Sequence, residues 1–393
     1  MNKLIMKDFR FGSLFFFLTL TLFSAIWLAC RSDASTENTA DTASVLPVAA
    51  QAADTIPAPQ DTTPPPAEPK RLKIVGVGDM MLGTNYPSPS YLPANGGKDL
   101  LSDVEDILIN ADVTFGNLEG TIIEKGTMSK RCNDPSKCYA FRSPESYADH
   151  FVNAGFDLLS LANNHSGDFG PEGRRRTKEL LDERNILYAG LAGSDETAIF
   201  EKDGIKYGFC AFAPNSGTCD IRNISRAKQI VSKLAETTDI VIVSFHGGAE
   251  GVKNQSVPKR TETFYGENRG DVHAFSHGVI DAGADIVFGH GPHVTRAAEL
   301  YKDRFIIYSM GNFCTYGRFS LSGAAGIAPI ITLEVDEEGK FLEGQITPIY
   351  QAKTHGPKID SQKRAITKLI ELTNSDFPDT PLDIGTDGKM VKK

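Results

Sequence analysis

The sequence predicts an α/β fold over roughly residues 71–360 of its 393. Two observations carry that prediction. Short apolar runs rich in Val, Ile and Phe alternate with amphipathic segments of helical spacing, which implies βαβ units and a largely parallel or mixed sheet. Five of those runs also end alike, in a polar cluster: "IVGVGD", "VTFGNLE", "LLSLANNH", "VIVSFHGG" and "DIVFGHGPH".

Each element has its own signal. "RLKIVGVGDMML" is a β-branched strand ending in Gly-Asp, and "GKDLLSDVEDILINA" places Leu and Ile at helical spacing. "ADVTFGNLEGTI" is a second strand, "PESYADHFVNAG" a helix, and "FDLLSLANNH" a strand with a polar end. "EGRRRTKELLDERN" is an amphipathic helix between that strand and the next, "ILYAGLA". "GIKYGFCAF" follows a turn as a strand, then "ISRAKQIVSKLAETT" as a helix and "DIVIVSFHGG" as a buried strand. "GDVHAFSHGVIDAG" is a helix, while "ADIVFGHGPH" and "RFIIYSMGNF" are strands. "PIITLEVDEEGKFLEGQITPIY" reads as a hairpin turning at Glu337-Glu338-Gly339. Residues 361–393 are expected to hold a short helix near "KRAITKLIELTN" and a loose tail.

The N-terminus stands apart from this domain. Lys3, Lys7 and Arg10 accompany the apolar run "FGSLFFFLTLTLFSAIWLAC", the order of a secretory signal. The run could also span a bilayer. The "LAC" ending at Cys30 favours a lipoprotein signal, although Trp27 stands where such signals usually carry Leu. Residues 1–30 thus read as a lipoprotein-type signal or membrane anchor. Residues 31–70, rich in Pro, Thr and Ala, read as a disordered tether. All three readings put the mature chain outside the cytoplasm, and the lipoprotein and anchor readings attach it to a membrane of the cell envelope.

Composition excludes some functions. The chain is 40% hydrophobic and 23% charged, ordinary for a soluble globular domain. Its net charge of −9, with no basic stripe, argues against nucleic acid as a main partner. No GxSxG, Walker or GxGxxG pattern is present. Among the six cysteines, Cys132/Cys138 and Cys210/Cys219 bracket short polar loops and suit local disulfides in an oxidising compartment. Cys314 is then left over.

The chemistry gathers at the strand ends. In open α/β sheets ligands bind beyond the carboxyl ends of the strands. Asp79, Asn117, Glu119, Asn163, Asn164, His165, His246, His290 and His293 can therefore converge, although each alone could be a turn or core residue. Carboxylate, amide and imidazole without thiolate suit Mn, Fe or Zn, with Mg as a further option. One or two such ions would activate water for hydrolysis. His273 and His277 stand four apart on a helix, a spacing that can chelate, but read better as an ordinary helix face.

Several segments resemble the bacterial capsule synthesis protein CapA family: "GDMML", "FGNLEGTI", "FRSPESYADHFVNAGFDLLSLANNHSGDFGPEG", "FHGGAE" and "DAGADIVFGHGPHVTRAAELYKDRFIIYSMGNF". Together they cover about residues 72–320. The family is linked to poly-γ-glutamate capsule synthesis and export. The resemblance implies a four-layer α/β/β/α sandwich similar to calcineurin-like metallophosphatases. It implies Asp79, Glu119, Asn164, His246, His290 and His293 as metal ligands and His165 as general acid. Arg142, in "FRSPE", would bind a carboxylate or phosphate, Asn117 would stand beside the substrate, and Asn312 would line the pocket or only shape the turn. The phosphatase pattern has Asp-x-His where this chain has Asp79-Met80-Met81, so one histidine ligand is missing. The implied function is metal-assisted hydrolysis or transfer on an anionic surface polymer such as poly-γ-glutamate, within a capsule synthesis complex. A non-catalytic polymer-binding or export subunit and a generic phosphoesterase are the alternatives.

Overall fold

The computed structural model describes residues 70–132, 138–353 and 355–393. The expected signal or anchor, Cys30 and the tether up to residue 69 lie outside the described residues. Among the described residues no helix is long and apolar enough to cross a membrane.

The chain begins with β1 (Leu72–Met81), α1 (Glu105–Ile109), β2 (Val113–Leu118), α2 (Ala148–Asn153), β3 (Leu158–Ser160), α3 (Gly170–Asp182) and β4 (Leu187–Ala189). It continues through β5 (Thr197–Lys202), β6 (Ile205–Phe212), α4 (Ile224–Ala235), β7 (Ile240–His246), α5 (Val272–Asp281) and β8 (Ile286–His290). Next come β9 (Ala298–Tyr301), β10 (Arg304–Ile307), β11 (Asn312–Thr315), β12 (Ile327–Val335) and β13 (Phe341–Tyr350). α6 (Arg364–Asp376), β14 (Leu382–Ile384) and β15 (Lys389–Lys392) complete it.

Two sheets result. The first is mixed and ordered β14-β15-β13-β12-β1-β2-β3-β4, with β11 also pairing β1. The second is ordered β9-β10-β8-β7-β6-β5. Apolar side chains from both fill the space between them, among them Ile74, Phe115, Phe209, Ile242, Phe288 and Ile307. Phe115 and Phe288 stack across this interface at 5.2 Å. The other face of the first sheet packs on α1, α2 and α3 through Val75, Leu108, Phe151 and Leu181. The other face of the second packs on α4 and α5 through Val243, Val231 and Phe275. The layers are therefore α/β/β/α, the order the resemblance implied. Strands buried on both faces explain the near-continuous apolar runs in place of strict alternation.

Three expectations are corrected. "RFIIYSMGNF" is two strands in different sheets: β10 pairs β8, and β11 pairs β1. Gly311, at φ 65°, turns the chain there. The C-terminal tail is not loose, because β14 and β15 extend the first sheet beyond β13. Of the two proposed disulfides, Cys132–Cys138 forms, but Cys210 and Cys219 remain thiols. Both lie in the apolar cluster beneath α4, where a buried thiol acts as a small apolar side chain. Cys314 is free and buried, as expected.

Candidate metal centre

The parallel pairing brings the strand ends level. Asp79 is in register with Asn117 on one side and Asn312 on the other, and His246 with His290. β1 is irregular at this point, its register shifting between Gly76 and Asp79 and again between Asp79 and Met80. Such bulges re-aim side chains at sheet rims. The crossover explains why: Gly311 O accepts from Asp79 N at 2.9 Å, and a Cβ on Gly78 would stand 2.1 Å from the same oxygen. Only glycine admits that approach. His293 follows β8 in a left-handed backbone conformation, φ 56°, which turns its ring back toward β1.

The side chains converge as a connected group. Asp79 is fully buried. Its Oδ1 accepts from Asn117 Nδ2 at 2.9 Å and faces His290 Nδ1 at 3.1 Å, and its Oδ2 faces His293 Nδ1 at 2.9 Å. Glu119 Oε1 stands 3.5 Å from His246 Nε2, 3.5 Å from His293 Nε2 and 3.9 Å from His165 Nε2. First-sheet residues thus meet second-sheet residues at one point.

Electrostatics follow from burial and pairing. Burial opposes ionisation of Asp79, but hydrogen bonds from His290 and His293 outweigh it and hold the carboxyl below the usual range. Burial pushes Glu119 up to about 7, with the His293 charge opposing it. Burial would lower His293, yet the Glu119 and Asp79 carboxylates raise it to about 10, so its imidazolium bridges the two acids. Burial lowers His246 to about 3 and leaves it neutral. His165 is also lowered, chiefly by burial, against the pull of Asp168.

The residues fit a divalent cation. Glu119 Oε1 and Oε2, Asn164 Oδ1, both His246 nitrogens and His290 Nε2 are buried without a hydrogen-bond partner. Leaving one buried polar atom unmade costs about 1–3 kcal/mol, so several in one place call for a shared partner. Their chemistry, mixed N and O without thiolate, is that of a first-row divalent ion. Glu119, His246 and His293 also offer three donor atoms within 4.8 Å of one another. Met81, where the related pattern has histidine, is buried at 1% exposure.

His165 has its own support. Its Nδ1 lies 2.8 Å from Asp168 Oδ2, and Lys130 Nζ lies 3.3 Å from Asp168 Oδ1. The Phe141 ring stacks on it at 4.1 Å, and Phe141 N donates to Asp168 Oδ2. Asn163 accepts from His165 N and donates to Asn117 Oδ1, the supporting role a turn asparagine suggests. Lys130, Phe141 and Phe319, whose ring is 5.3 Å from His293, were not singled out by sequence. Lys130 and Phe319 stand in loops with no motif to mark them, and Phe141, although it opens the "FRSPE" segment, is an apolar residue that sequence alone does not single out.

Each of the three residues expected near a substrate has partners of its own in the structure. Asn117 is fully buried and holds Asp79. Asn312 is 1% exposed and donates to His293 O and Ala325 O, so it fixes the turn carrying His293. Arg142 is held by Asn85 Oδ1 and Gly126 O and lies over Tyr86 and Phe169, with no contact to the cluster.

The family profile described as bacterial capsule synthesis protein PGA_cap matches residues 73–316. The chain belongs to that family. Among its relatives, "Capsule biosynthesis protein CapA" of Bacillus anthracis is 28% identical over 265 residues, covering 63% of this chain and 60% of that protein. "PGA biosynthesis protein CapA" of Bacillus subtilis (strain 168) is 26% identical over 318 residues, 76% of each. The chain thus spans about three fifths of the B. anthracis protein. A putative 5'-nucleotidase from Staphylococcus aureus is a solved structure it resembles, with TM-score 0.41 and 15% identity over 75% of this chain and 55% of that one.

Proposed function

We propose that this PGA_cap family member is an envelope-attached hydrolase or transferase acting on an anionic surface polymer of the poly-γ-glutamate type during capsule synthesis. The observation carrying the catalytic part is the meeting of buried, unpartnered donor atoms from both sheets. Family membership and the names of the Bacillus relatives support the capsule context. Asp79, Glu119, Asn164, His246, His290 and His293 would hold one or two divalent ions, Mn, Fe or Zn by their donor set. Such an ion supplies activated water and polarises a carbonyl or phosphoryl oxygen.

The chain's own residues do the rest. Asp168 holds His165 Nδ1 and leaves Nε2 facing the Glu119 side of the cluster. As imidazolium, which Asp168 and Glu119 favour against burial, His165 would carry a second proton at Nε2 and act as acid toward the leaving group. Phe141 fixes the ring plane and keeps water from that face. Arg142 has no carboxylate partner among the described residues, and its charge would attract an anionic group of the polymer. Cys30 lipidation or an uncleaved N-terminal run would attach the chain to the membrane, with capsule synthesis proteins as neighbours.

The test is turnover by metal-loaded full-length protein on a γ-linked glutamate polymer and on a phosphomonoester. Shortening of the polymer, lost in His246→Ala, is expected. Turnover of the phosphoester alone would replace this reading with a generic phosphoesterase. The buried Met81 in place of a histidine favours a second reading, a binding or export subunit. Polymer binding without turnover at any metal loading would favour it.

A further inference from the structure

We infer that His273, His277 and Glu299 form a second divalent-metal site, on the outer face of the second sheet and independent of the strand-end cluster. The helical spacing of the two histidines alone says little. What changes its meaning is Glu299, a residue of strand β9 that the sequence separates from the pair by more than twenty positions. α5 lays both imidazoles against β9, and one donor atom from each of the three residues lies within 4.8 Å of the others.

The three side chains are oriented. The imidazole rings stand 4.1 Å apart, and His277 Nε2 is 3.0 Å from Glu299 Oε2. Tyr301 stacks on His277 at 3.8 Å, and His273 lies parallel to Phe377 and Tyr308. Tyr308 Oη donates to Glu299 Oε2 at 2.8 Å, an outer hydrogen bond of the kind that fixes a ligating carboxylate. The Glu299 side chain is 11% exposed and that of His277 23%, so the carboxylate is anchored while the imidazoles are reachable from solvent. A hydrogen-bonded His277–Glu299 pair would need no second histidine, yet His273 is held beside it by two rings.

Two imidazoles and one carboxylate with a solvent-facing fourth position form an N/O set for zinc or its copper and nickel neighbours. Four-coordinate zinc needs donors about 3.3 Å apart, which small rotations of the two surface imidazoles supply. The ion would clip edge strand β9 to α5, a local fastening that uses none of the strand-end residues.

The test uses the full chain and Zn2+ alone as probe, with binding followed by calorimetry and by thermal unfolding. A Zn2+-binding component and its accompanying Tm rise should persist in Glu119→Gln/His246→Ala. In that background, adding His273→Gln or His277→Gln should weaken it at least about tenfold, with the circular dichroism of the apo variants unchanged. Cu2+ bound in the same background should show hyperfine coupling to two imidazole nitrogens, reduced to one by His273→Gln. Zn2+ affinity and Tm rise unchanged by His273→Gln, or a copper spectrum without imidazole coupling, would overturn the proposal.

Discussion

Asp79 and Glu119 divide the electrostatic work at the cluster. Asp79 is held ionised by His290 and His293, while Glu119 is pushed up to about 7 and His293 to about 10. A metal must displace a proton from His293, and below about pH 7 from Glu119 too. Metal affinity should therefore rise with pH. Each proton released contributes about tenfold per pH unit, so titrations at pH 6 and 8 should differ by more than about a hundredfold. Equal affinities at the two values would mean these groups do not ligate. His165 plays a separable part: His165→Ala should cut polymer turnover by about 10²–10⁴-fold while metal content stays unchanged. Simultaneous loss of metal would make His165 a ligand instead. At this scale the sequence was informative where chemistry follows a strand end, as with Asp79, Glu119 and the three later histidines. It was silent on Lys130, Phe141 and Phe319, because loop residues acquire their meaning only from what the fold lays beside them.

The elements that aim these groups can be tested as well. The β1 bulge depends on Gly78, whose missing side chain admits Gly311 O. Gly78→Ala should cost about 1–3 kcal/mol in denaturant unfolding and weaken metal binding by displacing Asp79. Unaltered stability and metal binding would mean the crossover does not set the bulge. The loop after β7 is fastened by Arg296, fully buried and paired at 2.8 Å through both Nη atoms with Glu262. Glu262→Gln leaves a buried charge unpaired and should cost about 3–5 kcal/mol. A change of under about 1 kcal/mol, the worth of an exposed ion pair, would show the pair to be solvated. Periodicity located α3, α4, α5 and the β12–β13 hairpin well. It could not see that "RFIIYSMGNF" changes sheets, since an apolar run looks the same whichever sheet receives it. Nor could it see β14 and β15, which find partners only when β15 pairs β13's far edge and β14 in turn pairs β15.

For the whole molecule, the site is where two sheets meet. In the proposed site the first would contribute Asp79, Glu119 and Asn164, and the second His246, His290 and His293. The layer order was not legible from alternation of strands and helices, which gives a sheet with helices but not two sheets face to face. It came through the family resemblance and is visible in the Phe115–Phe288 stack. A cation held by both sheets stabilises the native chain by mass action, by about 2.7 kcal/mol at a hundredfold excess over Kd. Metal content tests the central claim most directly. Mass spectrometry should be run on the full chain carrying His273→Gln, loaded with Mn, Fe or Zn and dialysed, with and without Glu119→Gln/His246→Ala. The expected result is about one to two equivalents of metal with the strand-end residues intact, falling below about a tenth when they are replaced. Equal metal in both proteins, or none in either after loading, would contradict a metal centre at the strand ends.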